Sequence, residues 1–137
     1  MKIRSIRDGW KLRPLEPAKR LGDDDLQEAA KATGDAWLKI ESMPAMVHDV
    51  LLSHGAIETP WLPGRAEACK WVAEKDWLYA VRFFAPEARA EGKRWVLRFK
   101  GLDTVVDVYL NGEPIASSFD MHRELSVDVS GRLAEDN

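Results

Sequence analysis

Cysteine is nearly absent, Cys69 being the single one in 137 residues. No intrachain disulfide can form and no two-cysteine metal site can be built, so Cys69 is expected to act as a small buried or half-buried hydrophobe. A large excess of charge of one sign is missing too. Lys and Arg number 20 against 23 Asp and Glu, a formal net charge of −3, which supplies no basic face for nucleic acid and no polybasic segment for anionic lipid. No apolar run approaches the length that spans a bilayer, and the opening MKIRSIRDGWKLRPLE lacks the apolar core of a secretory signal. The expected setting is cytoplasmic, with no nucleic acid and no membrane as partner. No serine stands in a Gly-x-Ser-x-Gly elbow. His48 and His54 do not share a helical face and form no HExxH pattern. Neither a metal nor a cofactor is expected.

What is present is β-pattern. Asn111-Gly112 joins two short apolar runs, Val105 to Leu110 and Pro114 to Ser117. Both residues tolerate the positive φ of a type I′ turn, so an antiparallel hairpin is predicted there. Asp76 to Phe84 alternates, with Trp77, Tyr79, Val81 and Phe83 on one face, and predicts a strand. After a polar turn over residues 86–92, Trp95, Leu97 and Phe99 repeat the pattern, as do Leu125, Val127 and Val129. A first strand is expected over Ser5 to Leu12, ended by Pro14 and Pro17.

Helical signals are fewer. GDDDLQEAAKATGD has acids first, good helix formers inside and Gly34 near its end, the order a short surface helix prefers. Asp23 to Asp25 lacks the ligand spacing of a calcium loop and reads as the solvated start of that helix. A second helix is expected over Pro44 to Ser53, with Val47, Val50 and Leu51 on one face and Gly55 closing it. The length predicts one domain. Since no amphipathic helix separates the strands after residue 77, that domain should be an all-β sandwich or jelly roll with one or two short helices.

Several blocks in order carry a resemblance: PAMVHDVLLSHGAIETP (Pro44 to Pro60), WVAEKDWLYAVRF (Trp71 to Phe83), WVLRFKGLDT through LNGEPI (Trp95 to Ile115), and Phe119 followed by LSVDVSGRL (Leu125 to Leu133). From Trp37 onward the chain resembles the N-terminal, galactose-binding-domain-like jelly roll of the family 2 glycoside hydrolases, and WVAEKDW is most similar to the β-mannosidase branch. Met43-Pro44-Ala45 departs from the family's Val-Pro-Gly, and LPGRAEAC lacks an asparagine often found after Pro60. The resemblance implies an accessory domain whose partners are the remaining domains of a parent glycosidase, an immunoglobulin-like domain and a (β/α)₈ barrel that holds the catalytic glutamates. It also implies that the last jelly-roll strand or strands lie beyond Asn137. An open sheet edge would then favour self-association by edge pairing or strand exchange.

Candidate site residues follow. No catalytic residue is expected in this chain, because retaining hydrolysis needs two carboxyl groups about 5 Å apart, one with a raised pKa. The acids have simpler readings: Asp107 and Asp128 alternate with core residues and Asp103 sits in a bend. The resemblance implies that Glu74, Lys75 and Asp76 approach the barrel mouth and lie near substrate. Of the six tryptophans, Trp10, Trp37, Trp77 and Trp95 fall in apolar runs or in phase with core residues. Trp61 and Trp71 are left as candidates for stacking on a sugar. Carbohydrate is thus a possible partner, through the accessory role or through a free-standing binding module.

Overall fold

The computed structural model describes residues 1–18, 20–89 and 92–137. The chain divides into two compact units, Met1–Arg82 and Phe83–Asn137. Most regular structure is β, with few short helices, and among the described residues no helix is long and apolar enough to cross a membrane.

In the first unit, strand β1 (Lys11–Leu15) lies between β2 (Leu38–Lys39) and β3 (Asp76–Ala80), antiparallel to both. The expected first strand is therefore displaced: β1 begins at Lys11 and runs through Pro14, which pairs with Trp77. Proline is tolerated because β2 reaches only Lys11 and Leu12, so one side of the strand at Pro14 has no ladder to lose a donor from. Leu12 is fully buried with Ile40 and Val50, and Trp77 and Tyr79 pack around them.

Helix α1 (Asp23–Lys31) forms as predicted, with three acids in its first turn and no buried residue. The Asp25 carboxylate accepts the Gly22 N–H at 3.0 Å. Charge adds ties between α1 and the sheet. Arg13 of β1 pairs with Glu28 and lies 5.8 Å over the Trp37 ring, while the Lys11 ammonium donates to the Ala32 carbonyl at the helix end.

Helix α2 (Val47–Ser53) starts three residues later than the sequence reading had it. The segment before it is held by tertiary bonds: Met43 N–H donates to the Arg7 carbonyl, and the Tyr79 hydroxyl donates to the Ala45 carbonyl. These override the helical start expected at Pro44. Val50 and Leu51 are buried as expected, and Gly55 takes φ +67° beyond the helix. The strand predicted over residues 76–84 is cut to Asp76–Ala80. Beyond it, the chain changes partners: Phe84 bridges to Asp136, and the backbones of Phe83 and Asn137 bond to each other in both directions.

The second unit contains two two-stranded antiparallel sheets. In one, β4 (Val96–Phe99) pairs with β7 (Leu125–Asp128), and Leu97, Phe99, Leu125 and Val127 are the more buried residues of the alternation. In the other, β5 (Val106–Leu110) pairs with β6 (Glu113–Ser118) around the expected turn, where Asn111 and Gly112 have φ of +53° and +83°. The register slips between Val108 and Tyr109, leaving Ile115 as the extra residue of a bulge. Residues 90 and 91 of the predicted turn over 86–92 lie outside the described residues.

Candidate functional site

No helix is predicted between Gly55 and β3, yet Glu67–Glu74 forms a 3₁₀ helix leading straight into β3. Its three-residue period stacks side chains at i and i+3 into rows. Cys69 and Val72 form the buried row, and Glu67 pairs with Lys70 on an exposed one. Ala68, Trp71 and Glu74 make the third. Cys69 is the small buried hydrophobe expected, its thiol 3.7 Å from the Glu58 carbonyl.

The end of this 3₁₀ helix is pinned by the next strand. Trp77 of β3 donates its indole N–H to the Val72 carbonyl at 3.0 Å, and its ring lies 6.1 Å from that of Trp71, inclined at 47°. Trp71 is thereby fixed while remaining 36% exposed.

Trp71 forms one wall of a cavity of about 230 Å³, completed by Ala56, Ile57, Glu58, Arg65, Ala68 and Cys69. The chain between Glu58 and Arg65 doubles back through two turns, Leu62 N–H to the Thr59 carbonyl and Arg65 N–H to the Leu62 carbonyl, with Gly64 at φ +78°. That return brings the Arg65 guanidinium onto the Glu58 carboxylate, both about half exposed or more. An indole face beside a charge pair and an apolar floor offers stacking and hydrogen bonding within one recess. Sequence reasoning missed Arg65 and had no role for Glu58 here. The available signal was Pro60 and Pro63-Gly64, which mark the turns that bring the two together.

The other candidates separate. Trp61 is 73% exposed and is not among the residues lining this cavity. Glu74 is exposed at the end of the 3₁₀ helix. Lys75 bonds to Glu16 at 2.7 Å, and the Asp76 carboxylate accepts the Ala18 N–H at 2.9 Å, so both tie down the segment after β1. A second cavity, about 300 Å³, lies at the hairpin turn between Leu110, Asn111, Glu113, Pro114 and Arg132. It has no aromatic wall, and the Asn111 amide is already engaged with the Arg132 carbonyl and the Asn137 side chain.

Asp128 is held as a structural acid. Asp128 accepts hydrogen bonds from Ser130 N–H and from Arg94, and these hold its carboxyl down at about 2, with the Ser130 backbone donor the largest cause. A general acid requires the opposite displacement. Among the described residues, no group of three or more His, Cys, Asp or Glu side chains is disposed to hold a metal ion.

Comparison with known proteins sets this geometry in a family. Residues 25–137 match the glycosyl hydrolase 2 galactose-binding domain-like family. A β-mannosidase B of Aspergillus terreus is 33% identical over 110 residues, which are 80% of this chain and 13% of that protein. A β-mannosidase B of Thermothelomyces thermophilus is 38% identical over 102 residues, 74% of this chain and 12% of that protein. The β-D-mannosidase of Dictyoglomus thermophilum shares the fold with a TM-score of 0.75 at 24% identity, over 96% of this chain and 14% of its own. The chain thus spans 13% or less of the curated relatives named here. It is a mainly β, galactose-binding-domain-like sandwich, and by the match over residues 25–137 it belongs to the glycosyl hydrolase 2 galactose-binding domain-like family.

Proposed function

We propose that this chain is an accessory β-sandwich domain of a β-mannosidase-like family 2 exo-glycosidase, and that it packs on the catalytic part and shapes one wall of its pocket. The observation that carries the reading is the pair of proportions in the comparisons: 80% of this chain aligns with 13% of a β-mannosidase B, so most of such an enzyme lies outside the homologous region.

On this reading, the 3₁₀ helix and its junction with β3 face the sugar. Trp71 stacks on the apolar face of a pyranose, with Glu58 and Arg65 bonding its hydroxyls. Glu74, Lys75 and Asp76 border the substrate, the last two held in place by Glu16 and Ala18. Calorimetric titration with mannose, mannobiose and galactose tests this part, and a Trp71→Ala variant that binds as well as the parent chain would overturn it.

The accessory role is tested by exchange. The matching segment of the Thermothelomyces thermophilus relative is deleted or replaced by this chain, and hydrolysis of an aryl β-D-mannoside is measured. Deletion should abolish turnover, replacement should restore it, and this chain alone should give none. Turnover by this chain alone would refute the reading.

A further inference from the structure

Between its bulge and its open end the β5–β6 hairpin alternates. Val106, Val108 and Leu110 face inward, while Asp107 on β5 and Ser117 on β6 form an outward pair. The next outward positions are Val105 and Phe119, which alternation assigns to water. They are 87% and 82% exposed, and Met121, on the turn that follows, is 41% exposed. The turn is held in shape: the Asp120 carboxylate accepts the His122 N–H at 2.9 Å. Its backbone also sits close on Gly101, with the Met121 carbonyl oxygen only 3.1 Å from where a β-carbon would stand. Val105 and Phe119 thus adjoin the last pair of the ladder, Val106 and Ser118, and the exposed acids Asp103, Asp107 and Asp120 each stand within two residues of one or the other.

We propose that Val105 and Phe119 form the knob by which this chain docks on the rest of its parent hydrolase, in an apolar recess with basic side chains at its rim. The inference rests on the accessory-domain reading above and names the surface that reading requires. Area selects the occupant. Two such side chains offer on the order of 300 Å², whereas a stable dimer of separate chains needs roughly 800 Å² from each partner. A partner in the same polypeptide needs less contact, because tethering supplies an effective concentration in the millimolar range. The flanking carboxylates supply the complementary charge for a basic rim.

The test is calorimetric titration of this chain with the Thermothelomyces thermophilus β-mannosidase B polypeptide from which the matching segment has been deleted. The parent chain should bind. V105S/F119S should bind about 150-fold more weakly or worse, the loss expected from removing two buried apolar side chains, with its melting temperature unchanged because both are exposed in this chain. Phe119→Leu should retain most of the affinity. Asp107→Lys, which keeps both apolar groups, should weaken binding more at low salt than at high salt. Equal binding by V105S/F119S and by the parent chain would overturn the docking surface and leave the accessory reading intact. No binding by the parent chain would overturn both. A dimer in sedimentation equilibrium that Phe119→Ser dissociates would assign the surface to a second copy and overturn the proposal.

Discussion

Replacing Trp77 by Phe isolates the contact that couples the sheet to the candidate site. The indole N–H bonds to the Val72 carbonyl at 3.0 Å, and the ring lies 6.1 Å from that of Trp71. Phenylalanine keeps an aromatic ring in the strand but removes the donor, leaving a part-buried carbonyl at the end of the 3₁₀ helix without this partner. An abandoned acceptor costs about 1 kcal/mol. The smaller ring gives up packing area worth about another 1 kcal/mol. The expected loss is therefore about 2 kcal/mol, which at roughly 4 °C per kcal/mol for a chain of this size lowers Tm by about 8 °C. Urea unfolding followed by circular dichroism measures it. Trp71→Phe is the control: Trp71 is 36% exposed and should cost less than about 1 kcal/mol. A Trp77→Phe protein within about 0.5 kcal/mol of the parent would refute the view that this bond holds the helix end.

Other outcomes follow from the same structure. Leu12→Ala empties a fully buried position beside Ile40 and Val50 and should cost about 3 kcal/mol in chemical denaturation. Gly112→Ala forces a β-carbon onto φ +83° and should destabilise the hairpin by about 1 kcal/mol, read as faster amide exchange in β5 and β6. Ser130→Ala removes one of the groups depressing Asp128, so its carboxyl, followed by NMR, should titrate above about 2 but stay below 3.8, because the backbone N–H remains. Since folding lowers this pKa, the associated stability is complete above the unfolded value and disappears as pH falls from about 4 towards 2.

How far the sequence could be read depended on whether local signals faced competition. Asn111-Gly112 determined its turn because few other residues accept φ of +53° and +83° in succession, and the alternation in Val96–Phe99 and Leu125–Asp128 matched the pairing found. Where distant groups intervened, local reading failed. The start of α2 moved because Arg7 and Tyr79 bond the segment before it, and β3 ended early because residues 83–85 take partners at 135–137. Pro14 was read as a stop, although a strand with a ladder on only one side at that point accepts it. The bulge at Ile115 leaves no trace in composition. At the site, Trp71 could be singled out by elimination from the apolar strands. The 3₁₀ helix that orients it depends on tertiary closure and was not legible, whereas Pro60 and Pro63-Gly64 mark the local turns that bring Arg65 to Glu58 without naming the pair they create.

The central claim is that this chain works as part of a larger glycosidase and not as an enzyme by itself. Hydrolysis of an aryl β-D-mannoside tests it most directly, comparing this chain alone, the Thermothelomyces thermophilus relative without its matching segment, and that relative with this chain in the segment's place. Activity only in the last would bear the account out. Turnover by this chain alone, or full activity in the deleted relative, would contradict it.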